Sequence, residues 1–149
     1  MPDLAAMQRF GEALAAQLKA GDVVALSGGL GAGKTTLARA ILAALGHADE
    51  VPSPTFAIVE TYDPPALRLP VVHADFYRLE SEREAEALGL DDYRQGRALI
   101  AEWPENAGGF AGEPGCIAIE LTIAGETSGS GRIAIVEAGS DWLGRLPCP

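Results

Sequence analysis

The chain has 149 residues, 11 Lys+Arg against 21 Asp+Glu for a net charge of −10, and 48% hydrophobic content. That size and apolar share fit one compact domain spanning 1–149, leave no room for a second full domain, and set the acidity apart from the apolar-poor composition of disordered chains. A protein that grips a phosphate backbone by itself usually carries a basic face, so the charge disfavours direct, tight nucleic-acid binding.

Cys116 and Cys148 lie far apart, with no CxxC pair and no His at zinc-ligand spacing, and read as free thiols in a reducing cytosol. Met1-Pro2-Asp3 lacks a basic segment followed by an apolar run, and no stretch approaches the ~18 apolar residues of a membrane span. A cytoplasmic protein with no membrane association is expected.

Asp3 as N-cap, followed by Leu4, Met7, Phe10, Leu14 and Leu18 at three- and four-residue steps, predicts an amphipathic helix with Gly21 as its C-cap. Val23 to Ser27 reads as a buried strand that runs straight into a glycine-rich loop. Helical spacing resumes at Thr35, with Leu37, Ala40, Ile41, Ala44 and Leu45 on the inner face and Gly46 as the stop. Two prolines at Pro52 and Pro54 favour an extended loop before a strand over Phe56 to Tyr62.

Val71 to Asp75 reads as a second buried strand. Ser81-Glu82-Arg83-Glu84 matches a capping box that starts an acidic helix through about Leu88, with a short helix or turn from Asp91 to Arg94. Ala98 to Glu102 is a third apolar run, ended by Trp103-Pro104. Cys116 to Thr122 and Arg132 to Glu137 flank a Gly/Ser-rich turn and form a hairpin, and Asp141 to Leu146 suggests a last helical turn.

Gly28-Gly29-Leu30-Gly31-Ala32-Gly33-Lys34-Thr35 fits GxxxxGK[ST], and Thr36 adds a second hydroxyl. At background frequencies such a match arises by chance in roughly 0.5% of chains this long, and a preceding strand with a following helix is the context the motif requires. Glycines let successive backbone N–H groups turn inward around a phosphate, while the helix adds the positive end of its dipole. Lys34 supplies a point charge for the β and γ oxygens, and the Thr35 hydroxyl can ligate Mg²⁺. The other lysine, Lys19, reads as a solvated cation near a helix end.

A phosphate-loop enzyme also needs a carboxylate at a nearby strand end, and Asp75 and Glu102 each end an apolar run. Ordinary solvent-facing acids are the bland alternative for both. His73 shares a strand face with Asp75 and reads as a structural imidazole satisfied by a backbone partner rather than a catalytic base. Thr55 is placed as a switch-loop hydroxyl or a simple strand entry, Trp103 as a switch element or core filler, and Trp142 as packing. Guanine reading by Asn-Lys-x-Asp is excluded, because Asn106 is the only asparagine and no lysine follows Lys34. ATP is therefore the expected nucleotide.

With Gly28 to Thr36, Ser53-Pro54-Thr55, His73-Ala74-Asp75-Phe76-Tyr77-Arg78-Leu79, Gly89-Leu90-Asp91-Asp92-Tyr93 and Glu102-Trp103-Pro104 in this order, the sequence resembles the TsaE family from about Gly21 to Trp103. That family comprises small ATPases of bacterial tRNA threonylcarbamoyladenosine biosynthesis. The resemblance implies an α/β P-loop NTPase fold of three layers, with a mostly parallel central sheet and, here, a C-terminal antiparallel hairpin. It also implies Mg²⁺ and ATP binding, slow hydrolysis, and work beside the TsaD and TsaB proteins, which modify the adenosine next to the anticodon of tRNAs reading codons that begin with A. The tRNA would be met only through those partners.

Carried over by position, the resemblance implies that Gly31, Ala32, Gly33, Lys34, Thr35 and Thr36 hold phosphates, and that Thr35 and Glu102 organise the metal. Asp75 corresponds to the Walker-B-like acid that joins Glu102 in catalysis, Thr55 to the first switch and Trp103 to the second. Arg132 is placed near the adenine. Either Asp75 or Glu102 would orient the attacking water. A nucleotide-dependent binding module without essential hydrolysis and a small-molecule kinase are the competing readings.

Overall fold

The computed structural model describes residues 4–29, 32–46, 59–63, 69–79, 82–87, 89–110, 112–124, 131–142 and 144–145. Helix α1 spans Leu4–Gln17, strand β1 Val23–Ser27 and helix α2 Lys34–Leu45. Strands β2 (Val59–Tyr62) and β3 (Val71–Asp75), helices α3 (Glu82–Ala87) and α4 (Leu90–Arg94), and strand β4 (Ala98–Glu102) follow. The chain closes with β5 (Cys116–Ala124) and β6 (Gly131–Ala138), and 3₁₀ turns occupy Pro104–Ala107 and Ser140–Trp142.

Met7, Phe10, Leu14 and Leu18 are buried, so the apolar stripe of α1 faces the core as its spacing predicts. The helix nevertheless stops at Gln17, short of Gly21, because the Asp22 carboxylate takes the Lys19 N–H at 2.7 Å and turns the chain toward β1. The proposed cap Asp3 lies outside the described residues, as do Phe56 to Ile58, Ser81 and Leu88. Gly46 ends α2 as expected, its N–H reaching the Ala43 carbonyl at 3.1 Å. The inner face of α2 is Leu37, Ala38, Ile41, Leu42 and Leu45, whereas Ala44 is exposed and Ala40 faces α1. Two adjacent rows of buried residues, Leu37-Ile41-Leu45 and Ala38-Leu42, centre the stripe about one position away from the predicted one.

Six strands form one sheet in the order β2-β3-β4-β1-β5-β6. β3, β4, β1 and β5 are mutually parallel, while β2 and β6 pair antiparallel at the two edges. Alternation divides each inner strand between two cores. Val24, Leu26, Val71, Ala98 and Ile100 pack under α1 and α2, and Val23, Ala25, Val72, Ala74, Leu99 and Ala101 pack on the opposite face with Phe76, Leu90 and Phe110. The result is the expected three-layer α/β fold.

The last turn is shorter than expected, Ser140–Trp142, because its backbone serves the tertiary structure: Asp141 N–H donates to the Pro114 carbonyl at 3.0 Å. Trp142 is fully buried, donates its indole N–H to the Gly115 carbonyl at 2.7 Å and lies under the Arg145 guanidinium. Arg145 in turn holds both Asp22 carboxylate oxygens, at 2.8 and 3.1 Å. Cys116 is buried, and burial pushes its thiol up to about 11, which suits an inert cysteine; Cys148 lies outside the described residues.

α1 and α2 approach closely at Gly11, where an added Cβ would lie 2.6 Å from the Ala40 Cβ. Gly11→Ala is expected to lower stability by about 1–3 kcal/mol through overpacking, more than the ~1 kcal/mol gained in helix propensity. Urea unfolding of the variant checks this, with recovery when Ala40→Gly is added; an unchanged midpoint in Gly11→Ala would show that the helices can simply separate.

Candidate functional site

β1 ends at Ser27 and α2 begins at Lys34, so the described residues between them, Gly28, Gly29, Ala32 and Gly33, lie at the carboxyl end of the sheet, where β1 is flanked by β4 and β5. Two positions require glycine. Gly28 has φ +132° and would place a Cβ 2.2 Å from the Leu121 carbonyl oxygen, and Gly33 turns into α2 with φ +108°. Among the described residues no side chain caps the α2 N-terminus, whose first-turn N–H groups lie at the positive end of the helix dipole and suit an anion.

Lys34 is 5% exposed and donates to the Gly28 and Gly29 carbonyls at 2.7 and 2.8 Å. Its ammonium also lies 4.3 Å from the centre of the Trp103 ring. Burial lowers its pKa, while the nearby carboxylates of Glu102, Asp75 and Glu105 pull it back up. Among the described residues the cation is thus held by carbonyls and an aromatic face rather than by an ion pair.

Thr35 Oγ1 donates to Glu102 Oε1 at 2.7 Å. Glu102 is 2% exposed, which removes the reading of a solvent-facing strand-end acid. Its Oε2 lies 2.7 Å from His73 Nε2. The expected backbone partner of His73 is therefore replaced by a carboxylate, since β3 and β4 are parallel neighbours and strand alternation points His73 and Glu102 to the α1/α2 face. Asp75 pairs directly with Glu102 across the two strands and accepts the Tyr77 N–H at 2.9 Å on its Oδ1.

Trp103 is the one non-glycine residue with positive φ among the described residues, at 58°. Its N–H donates to the Leu26 carbonyl at 3.1 Å, its ring lies 5.0 Å from that of Tyr77, and Asn106 donates to the Phe76 and Tyr77 carbonyls at 3.1 and 3.2 Å. The turn after β4 is thereby fastened to the exit of β3. The half-buried ring packs against the core under the sheet's α3/α4 face and at the same time meets the lysine.

Among the sequence-predicted residues, Ala32, Gly33, Lys34, Thr35, Asp75, Glu102 and Trp103 converge at this end of the sheet; the Ala32 N–H is occupied by the Gly29 carbonyl at 3.2 Å. Thr36 opens onto a groove of about 620 Å³ between α1 and α2, also lined by Gln8, Glu12 and Arg39. Gly31 and Thr55 lie outside the described residues, and of Arg132 only the backbone is described, paired with Ile123 at the same end of the sheet. His73 and Tyr77 were missed as site residues; only the adjacency of β3 and β4, invisible in a linear pattern, brings the first to Glu102.

A family model described as threonylcarbamoyl adenosine biosynthesis protein TsaE matches residues 1–133. The chain belongs to the TsaE family. A TsaE protein of Synechocystis sp. is 41% identical over 110 residues, covering 70% of this chain and 68% of that protein. The Haemophilus influenzae TsaE protein is 38% identical over 119 residues, covering 76% and 74%. The crystal structure of Bacillus subtilis YdiB superposes with a TM-score of 0.70 at 27% identity, covering 95% of this chain and 85% of that one. The family is thus the one expected from the motifs, and its described role is threonylcarbamoyl adenosine biosynthesis. Among the described residues no helix is long and apolar enough to cross a membrane.

In this TsaE family member the Asp75 carboxyl is pushed above its usual range, first by burial and further by Glu102, with the Tyr77 N–H opposing. A carboxyl whose folded pKa is raised adds stability that is fully present below the unfolded value of 3.8 and lost as pH rises through the folded pKa. Ionised Asp75 therefore costs stability at neutral pH. Asp75→Asn keeps the acceptor for Tyr77 and should melt above the parent at pH 7 in the absence of nucleotide, with the gap closing as the pH falls toward 3.8; coincident thermal melts at pH 7 contradict this.

Proposed function

We propose that this protein binds and slowly hydrolyses Mg-ATP, and that its nucleotide cycle supports threonylcarbamoyladenosine formation on tRNA by a complex of TsaD and TsaB. The observation that carries the reading is the buried lysine held by the Gly28 and Gly29 carbonyls, beside a Thr35 hydroxyl hydrogen-bonded to a buried carboxylate. A hydroxyl and carboxylate oxygens form the hard donor set that suits Mg²⁺, and an uncapped helix N-terminus with a lysine suits phosphate. Thr35 and Glu102 would hold the ion, which when bound supplies charge neutralisation on the phosphate oxygens.

Lys34 exchanges its two carbonyl partners for the β and γ oxygens, and the first-turn amides of α2 receive the same phosphates. Glu102 has both oxygens engaged, to Thr35 and His73, and so serves as a fixed acceptor. Asp75 has only Oδ1 committed to the backbone and is the better placed to orient the attacking water, a role favoured by its raised pKa. Thr55 and Trp103 serve as the two switch residues, changing their contacts between the nucleotide-bound state and the state after hydrolysis, which changes affinity for the partner complex. The groove beside Thr36 can accept the part of the nucleotide beyond the phosphates.

Lys34→Ala is expected to weaken Mg-ATP binding at least about 10-fold in calorimetric titration and to abolish phosphate release. Asp75→Asn should retain binding and lose turnover, and turnover of the parent chain should rise when TsaD and TsaB are added. Normal ATP affinity in Lys34→Ala sinks the phosphate assignment, and undiminished repeated tRNA modification with a non-hydrolysable ATP analogue rejects the hydrolytic cycle.

A further inference from the structure

Glu102 and His73 are 2% and 0% exposed, and they meet at 2.7 Å on the sheet face that carries α2. A buried carboxylate is tolerated only where donors replace its lost water, and the described donors to Glu102 are two: the Thr35 hydroxyl on Oε1 and the imidazole on Oε2. With the Glu102 oxygen as acceptor, Nε2–H is assigned as the donor of this bond. The other ring nitrogen, Nδ1, is buried and has no partner among the described residues. Among the described residues the carboxylate is thus the ring's one hydrogen-bond partner, and the carboxylate is held by the ring and Thr35.

We propose that His73 is a positioning residue that fixes the Glu102 carboxylate so that Oε1 stays directed at the Thr35 hydroxyl, with Nε2–H as its working atom. The proposal rests on the reading of Thr35 and Glu102 as the metal-organising pair. A side chain two residues along β3 from Asp75 and diagonal to Glu102 can do this only because β3 and β4 are in register with Asp75 opposite Glu102 and His73 opposite Ile100. Without the Nε2 donor, Oε2 is left buried and unpaired, and the carboxylate must turn away from Thr35 to recover a donor. The loss therefore falls on the metal-dependent part of nucleotide binding and on turnover, while Lys34 and the α2 amides, which do not touch His73, keep metal-free phosphate contacts.

Two variants separate positioning from packing. His73→Gln offers an amide N–H near the place of Nε2–H, and His73→Leu fills the volume without a donor. Expected for His73→Leu is a 10- to 100-fold rise in the Mg²⁺ concentration needed for half-maximal ATP turnover, the range typical when a partner of a ligating carboxylate is removed. Binding of ATP measured in EDTA should stay within about 3-fold of the parent, a shift of roughly 0.7 kcal/mol, and His73→Gln should recover most of the Mg²⁺ dependence. A nucleotide-free readout comes from long-range ¹H–¹⁵N spectra of the imidazole: the parent should show a protonated Nε2, and Glu102→Gln should shift that resonance. Equal impairment of both His73 variants, an unchanged Mg²⁺ midpoint in His73→Leu, or an Nε2 resonance indifferent to Glu102→Gln overturns the proposal. Failure of the parent chain to bind Mg-ATP at all is a different result: it removes the functional reading and the inference with it.

Discussion

A carboxylate withdrawn from water must be supplied with donors, and the two hydrogen bonds to Glu102 are the constraint around which the site end of this molecule is organised. One bond ties β4 to the first turn of α2, the other ties β4 to β3, and β4 lies between β3 and β1 in the sheet. The helix that follows the glycine loop therefore cannot slide along the sheet without leaving a buried oxygen unpaired. On the other side of the loop, Gly28 packs so closely on the Leu121 carbonyl that the exit of β1 is locked against β5. The loop is flexible in composition and held at both ends by rigid neighbours, which is the arrangement a preorganised anion site needs.

The opposite end of the sheet has a different economy. There the Asp22 carboxylate is satisfied by Arg145 and by the Lys19 N–H, and the guanidinium covers Trp142, whose ring fills the core beneath α1 and α2. That ion pair closes this end of the fold. At the site end, by contrast, the lysine takes neutral carbonyls and an aromatic face, with no ion pair among the described residues. Neutral partners of this kind can be exchanged for a phosphate, which offers the cation a full charge.

Trp103 joins these two themes. A left-handed backbone at a tryptophan costs of order 1 kcal/mol or more and persists only where the surroundings over-determine it. Here the Leu26 carbonyl, the Tyr77 ring, the Lys34 ammonium and the Asn106 contacts to the β3 exit supply that support. One of these supports, Lys34, belongs to the proposed phosphate site itself, so an event that draws Lys34 away weakens what holds the strained residue. The physical ingredients of a switch, strain and a support that a ligand can compete for, are therefore present in one segment.

Much of this was legible in one dimension. Apolar runs of strand length between turn residues located β1, β3 and β4, the GxxxxGKT pattern located the loop, and the ordered motifs pointed to the TsaE family, because each of these depends on neighbours along the chain. Helix faces were read to within about one position, since Ala40 and Ala44 look alike in composition and only packing against Gly11 distinguishes them. What the tertiary structure alone decided was which strand lies beside which. That order sets His73 against Glu102 rather than against backbone, turns two separate strand-end acids into one buried paired carboxylate and one half-exposed one, and lays Trp103 over Lys34. The sequence by itself determined the chemistry on offer and the local backbone able to carry it; the assignment of partners needed the sheet, because contacts across parallel strands join residues far apart in the chain and leave no periodic trace along it.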